Sequence, residues 1–158
     1  MKKLILFAVC LFSLSFAFSQ NHMKFMGIEV NGKESTVEQR LLTKGFTATK
    51  DDLYKGRFSG YDVKLRLKKT VKSKTVYCIT VLFDETVSNA DLSELENSLK
   101  EKYSSYKSYE KLTDEFQVSQ FCIEMPEGKI LLDFAEKSLS YMDNANIQKN
   151  RTESKDDL

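Results

Sequence analysis

Three pairs of neighbouring acids are the first residues whose chemistry needs weighing: Asp51-Asp52, Asp84-Glu85 and Asp114-Glu115. Two carboxyl groups a few ångströms apart suffice for glycoside hydrolysis, provided one is buried enough to stay protonated. Each pair falls at an expected strand end or turn, where acids serve solvation, and no pattern marks one of them as buried. Other catalytic chemistries lack parts. His22 is the only histidine, too few for a His-based zinc cluster, and at the start of the mature chain, where termini are usually mobile, it is ill placed for a Ser-His-Asp triad or a Cys-His pair. Its place close to the start of the mature chain predicts a solvated residue. No G-x-x-x-x-G-K-S/T or G-x-G-x-x-G stretch is present to cradle phosphate. These residues call for no cofactor and no metal.

Binding chemistry has three candidates. Cys78 and Cys122 lie in two strand-like runs, and in an oxidising compartment they could form a disulfide if their Cα atoms came within about 7 Å; otherwise they are two small buried hydrophobes. Tyr103, Tyr106 and Tyr109 recur every third residue and, if exposed, would stack on sugars or anchor a protein partner. Lys64, Arg66, Lys68, Lys69, Lys72 and Lys74 crowd one expected hairpin. They are either an anion-binding patch for lipid head groups or a polyanionic glycan, or the solvated face and tip of that hairpin. No aromatic residue interleaves with them, which disfavours single-stranded nucleic acid.

Periodicity supplies the elements that must position these groups. Lys24 to Val30 reads as one short strand closed by Asn31-Gly32. A helix follows, with Ser35 and Glu38 as a capping box, Val37, Leu41 and Leu42 as its apolar face, and Gly45 in the left-handed position after it. Tyr54 to Phe58, the Ser59-Gly60 turn and Tyr61 to Lys68 read as a hairpin, the last with strict alternation of apolar and polar residues. Thr75 to Phe83 reads as a central strand. Ser88 with Asp91 caps a helix whose Leu92, Leu95, Leu99 and Tyr103 form one stripe, with acids early and lysines late to suit the helix dipole. After a polar stretch, Phe116 to Met125 and Lys129 to Ala135 flank Pro126-Glu127-Gly128, a hairpin turn. Ser138 to Met142 is a last strand, and Asp143 caps a short polar helix.

The expected architecture is therefore α+β: an antiparallel sheet with helices on one face, carrying a weak tandem repeat of one helix and three strands. Residues 20–151 form a single domain, and residues 152–158 form a frayed tail.

Residues 1–19 carry an address. Lys2 and Lys3 precede the apolar run Leu4 to Phe18, which is too short for a spanning helix, and Ala17-Phe18-Ser19 suits cleavage before Gln20. Val9 in front of Cys10 does not suit lipidation. Cleavage takes the formal charge from +1 to −1, leaving a mature chain with no membrane span, bound for the periplasm or the exterior. Of the 158 residues 41% are hydrophobic and 30% charged, with 24 basic and 23 acidic. That balance excludes a strongly basic nucleic-acid binder and wholesale disorder.

The segment Phe25-Met26-Gly27-Ile28-Glu29-Val30-Asn31-Gly32, followed by Val37, Leu41 and Lys44-Gly45-Phe46, resembles small secreted proteins of unknown function from Bacteroides-type bacteria. The resemblance implies a Gram-negative periplasmic or exported setting, and no activity. Together these readings describe an exported, soluble, non-catalytic binding module whose partner is a protein or a surface glycan rather than nucleic acid. Two alternatives remain: a small carboxylate-dependent glycan or peptidoglycan hydrolase, and an inhibitor-like module that binds an extracellular enzyme.

Overall fold

The computed structural model describes residues 21–112 and 118–155; the leader and the Asp114-Glu115 pair lie outside them. The chain is α+β, and among the described residues it has three helices, a two-stranded hairpin and an eight-stranded antiparallel sheet. The expected strand at Lys24 to Val30 is instead a hairpin, β1 (Lys24–Phe25) and β2 (Ile28–Glu29). Met26 and Gly27 turn it at φ 49° and 81°. Two successive positive φ angles are what a two-residue turn needs to match strand twist.

Helix α1 spans Glu34–Thr43 and buries Val37 and Leu41, but Leu42 is exposed. Its N-cap is Lys33, with no side-chain cap, so Ser35 lies within the first turn and the expected capping box is absent. The other end follows expectation. Gly45 stands at φ 89°, its N–H donates to Leu42 O, and Phe46 N–H donates to Leu41 O. That is the double bond of a Schellman stop, with buried Phe46 set against buried Leu41.

Four strands follow: β3 (Thr47–Ala48), β4 (Leu53–Phe58), β5 (Tyr61–Lys69) and β6 (Val76–Phe83). Next comes α2 (Asn89–Lys102), where Ser88 accepts from Asp91 N–H and Asp91 accepts from Ser88 N–H, the expected capping box. Four more strands are β7 (Lys107–Leu112), β8 (Val118–Met125), β9 (Gly128–Asp133) and β10 (Ser138–Asp143). The sheet order is β3-β4-β5-β6-β10-β9-β8-β7. Each half is thus one helix and four strands, not three, and the halves join where β6 pairs antiparallel with β10. The strand that sequence reading missed in the second half is β7. Its six residues are all exposed, so it has no apolar alternation to betray it.

One face of the sheet carries the core. Across the cross-strand registers, Leu65, Val81, Leu139, Leu132 and Phe121 share that face, and all belong to one buried cluster with Val37 and Leu41 of α1 and Leu92, Leu95 and Leu99 of α2. Phe46 lies over Gly56, where any side chain would collide with its ring. Phe25 reaches in from the small hairpin to stack on Phe58 at 5.5 Å and meet Tyr141 edge-on at 5.2 Å.

Helix α3 (Asn144–Lys155) runs past the ends of β9, β10 and β6. Asp143 caps it, accepting from Asn146 N–H at 2.9 Å. Residues 152–155 are helical rather than frayed, because Glu153 accepts the N–H groups of Lys72 and Ser73 at 2.7 and 3.0 Å and so docks the last turn on the β5–β6 tip.

Candidate interaction face

The two principal helices pack on one side of the sheet and leave the opposite side as an open face, in which the small side chains of Cys78, Thr80 and Cys122 are nonetheless buried. Side chains alternate across a strand, so the registers give its rows. The middle row runs Leu53, Arg66, Thr80, Ser140, Leu131, Cys122, Tyr109. A second runs Lys55, Lys64, Leu82, Ser138, Asp133, Gln120, Lys111. A third runs Lys68, Cys78, Met142, Lys129, Glu124, Lys107.

The centre of this face, on β6 and β10, is uncharged. Thr80 and Ser140 share a hydroxyl hydrogen bond of 2.9 Å, and Leu82, Ser138 and Met142 are half-buried beside them. The wing on β4 and β5 is basic: Lys55, Arg57, Lys64, Arg66 and Lys68 are all exposed, with Asp62 as the acid among them. The wing on β9, β8 and β7 is mixed, Lys129 standing beside Glu124 and Glu124 beside Lys107.

The structure divides the basic run that the sequence presents as one patch. Lys64, Arg66 and Lys68 lie on the open face. Lys69 turns to the helical side and meets Glu34 at 2.7 Å, while Lys72 and Lys74 sit at the hairpin tip, Lys74 at φ 52°. In their place, pairing of β4 with β5 adds Lys55, directly across from Lys64, and Arg57, across from Asp62. Sequence reading missed these two, and the signal that finds them is the hairpin register counted back from Ser59-Gly60.

Of the two readings of the cysteines, the disulfide does not form. Cys78 and Cys122 are free and buried, and strands β10 and β9 stand between theirs. Three strand spacings put them about 14 Å apart laterally, twice the reach of a bridge. Both face the open side. Burial pushes the Cys78 thiol up, and the Thr80 hydroxyl 3.5 Å away only partly offsets that.

The three tyrosines do not make one row. Tyr103 ends α2 half-buried against the core, and Tyr106 packs on it with ring centres 6.4 Å apart. Tyr109 alone stands on the open face, across from Cys122. Its phenol is pushed up to about 12, first by hydrogen bonding to the Cys122 thiol and then by the charge and burial around it.

His22 is not a solvated terminal residue. Its Nδ1 lies 2.9 Å from Asp143, whose carboxylate is fully buried and also accepts Met23 N–H at 3.0 Å. The pair pins the start of the described chain to the N-terminus of α3. The acids expected at turns are there: Asp51 and Asp52 are exposed, and so are Asp84 and Glu85. Asp84 is held below the usual carboxylate range by hydrogen bonds from Thr86. A second acidic cluster escaped the sequence. Lys100 bridges Glu96 at 2.5 Å and Glu110 at 2.6 Å, which ties α2 to β7; those bonds raise Lys100 and lower Glu110.

Two open depressions flank the body. One is lined by His22, Lys24, Tyr103 and Glu127, among others, and one by Glu34, Glu38, Asp52 and Tyr54, among others. Among the described residues no group of three or more His, Cys, Asp or Glu side chains is placed to hold a metal ion. No helix among them is long and apolar enough to cross a membrane. The chain matches no protein-family model, no curated protein and no solved structure.

Proposed function

We propose that the chain is an exported, non-catalytic binding module, that its interface is the open face of the sheet, and that its partner is another protein. The observation that carries this reading is the arrangement of that face. A half-buried, uncharged strip of Leu82, Ser138, Ser140, Leu131 and Met142 lies between two charged wings, as in interfaces whose centre is poor in charge and whose rim is polar. The leader at residues 1–19 and the resemblance to secreted Bacteroides-type proteins support the exported setting.

Hydrolysis has less support. A general acid must hold its proton at neutral pH, whereas each described carboxyl with a shifted proton affinity, namely Asp84, Asp91, Glu110 and Glu153, is shifted downward by hydrogen bonds. An inhibitor-like module is a special case of the favoured reading, in which the bound protein is an extracellular enzyme.

Capture of partners from the cell envelope tests the proposal. The processed chain is compared with a Leu82→Lys/Leu131→Lys variant whose folding is checked by circular dichroism. A partner retained by the first and lost by the second is the expected result. Equal retention by both would remove the open face from consideration.

A further inference from the structure

We propose that the basic wing on β4 and β5 docks an extended acidic polypeptide whose carboxylates recur at every second residue. This rests on the open face being the interface. Lys64, Arg66 and Lys68 occupy alternate positions of one strand, so their Cα atoms recur about every 6.8 Å. Lys55 stands directly across from Lys64, and like charges so placed repel one another. No carboxylate among the described residues comes within ion-pair distance of any of these four cations. Asp62 is taken by Arg57 at 3.7 Å, and Asp84 feels the charge of Lys64 without pairing with it.

Some lysines elsewhere are tied down. Lys69 holds Glu34, Lys100 joins two glutamates, and Lys137 donates to the carbonyls of Glu85 and Val87. The wing gathers four exposed cations on one patch with no ion pair to any of them among the described residues. An extended chain with an acid at alternate positions presents carboxylates on one side at the same spacing as the lysines and arginine of β5. Its flanking residues would meet the uncharged strip. Sugars and single-stranded nucleic acid favour stacking platforms among the cations. The wing has none, since Tyr109 lies at the opposite edge of the sheet.

Fluorescence anisotropy of the processed chain decides the matter, with a labelled peptide of alternating Glu and Thr about twelve residues long. Binding should weaken at least about tenfold between roughly 0.05 and 0.5 M salt as screening sets in. It should fall by a similar factor in Lys64→Glu/Arg66→Glu, and persist in Arg40→Glu/Lys44→Glu on α1. Absence of binding, or equal binding of a peptide with the same Glu residues in one block, would overturn the proposal. So would tighter binding of heparin, of oligothymidine or of phosphatidylglycerol vesicles. The envelope capture separates the two levels. If the wing reversal leaves capture intact while Leu82→Lys/Leu131→Lys abolishes it, the open face stands and the acidic partner falls; if neither variant matters, the interface itself falls.

Discussion

The two halves of the sheet follow one plan, a helix and then four antiparallel strands, yet each half holds its parts by different means. The first half starts α1 on Lys33 without a side-chain cap and relies on the Gly45 stop and on Phe46 packed over Gly56. The second half starts α2 with a full capping box and ties the helix to its edge strand through Lys100. The edges differ too. β3 has two residues and β7 has six, and a longer exposed edge calls for more charge to discourage stray pairing; Lys107, Glu110 and Lys111 supply it. The shared plan builds the sheet, and the unshared chemistry distinguishes its wings.

The strongest test of that division asks whether the halves are separate bodies. Leu65 and Leu132 are fully buried, one in each half, and truncation of either to Ala should cost about 2–5 kcal/mol. The β6–β10 ladder places Val81 against Leu139 and Ile79 against Tyr141 at the centre of the core. Both variants should therefore lower the midpoint of one shared urea transition, with circular dichroism and tyrosine fluorescence coincident. Two transitions, or one half left unshifted by a mutation in the other, would make the molecule two domains sharing a sheet.

The helix starts provide a smaller contrast. Ser88→Ala removes one partner of a reciprocal cap and should destabilise by roughly 0.5–2 kcal/mol. Ser35→Ala touches a residue that caps nothing in the structure, and should stay within about 0.5 kcal/mol. Equal effects at the two serines, read from the same urea midpoints, would mean that Ser35 is the N-cap and that α1 begins two residues later than Glu34–Thr43.

How much of this was legible in the sequence follows from the range of each signal. The α2 stripe and its cap are contacts between near neighbours, as is the alternation of β5, and all were readable. The Ser35 cap had the right spacing, but the chain enters α1 from an isolated bridge between Lys33 and Thr75, which sets the helix start from far away. β7 exists because β8 pairs with it, and its own residues show no buried face. Strand order decides the fate of the two cysteines, since β10 folds back between β6 and β9 after both strands bearing thiols have been made. His22 and Asp143 are 121 residues apart, so the histidine read as solvated while its partner lay out of view. The basic patch was half legible. Its β5 members follow from alternation, but Lys55 and Arg57 join only through cross-strand register.

The smallest predicted effect concerns the hairpin tips. In the first half the β5–β6 tip is held from outside by α3, whereas the β9–β10 turn closes on itself through Asp133 accepting Glu136 N–H. Glu153 is the holding group. Hydrogen bonds from Ser73 foremost, and from the Lys72 backbone, bring its carboxyl down to about 2 from an ordinary 4.5. A carboxyl depressed on folding stabilises the folded state above its unfolded value and loses that contribution as pH falls through the folded one. The tip should therefore stay docked down to about pH 4.5 and come loose as pH approaches about 2. NMR titration should show the Glu153 carboxyl and the Lys72 and Ser73 amides moving together with one midpoint near the lower value. A Glu153 midpoint near 4.5, with the two amides indifferent to it, would detach α3 from the hairpin and make the tips alike.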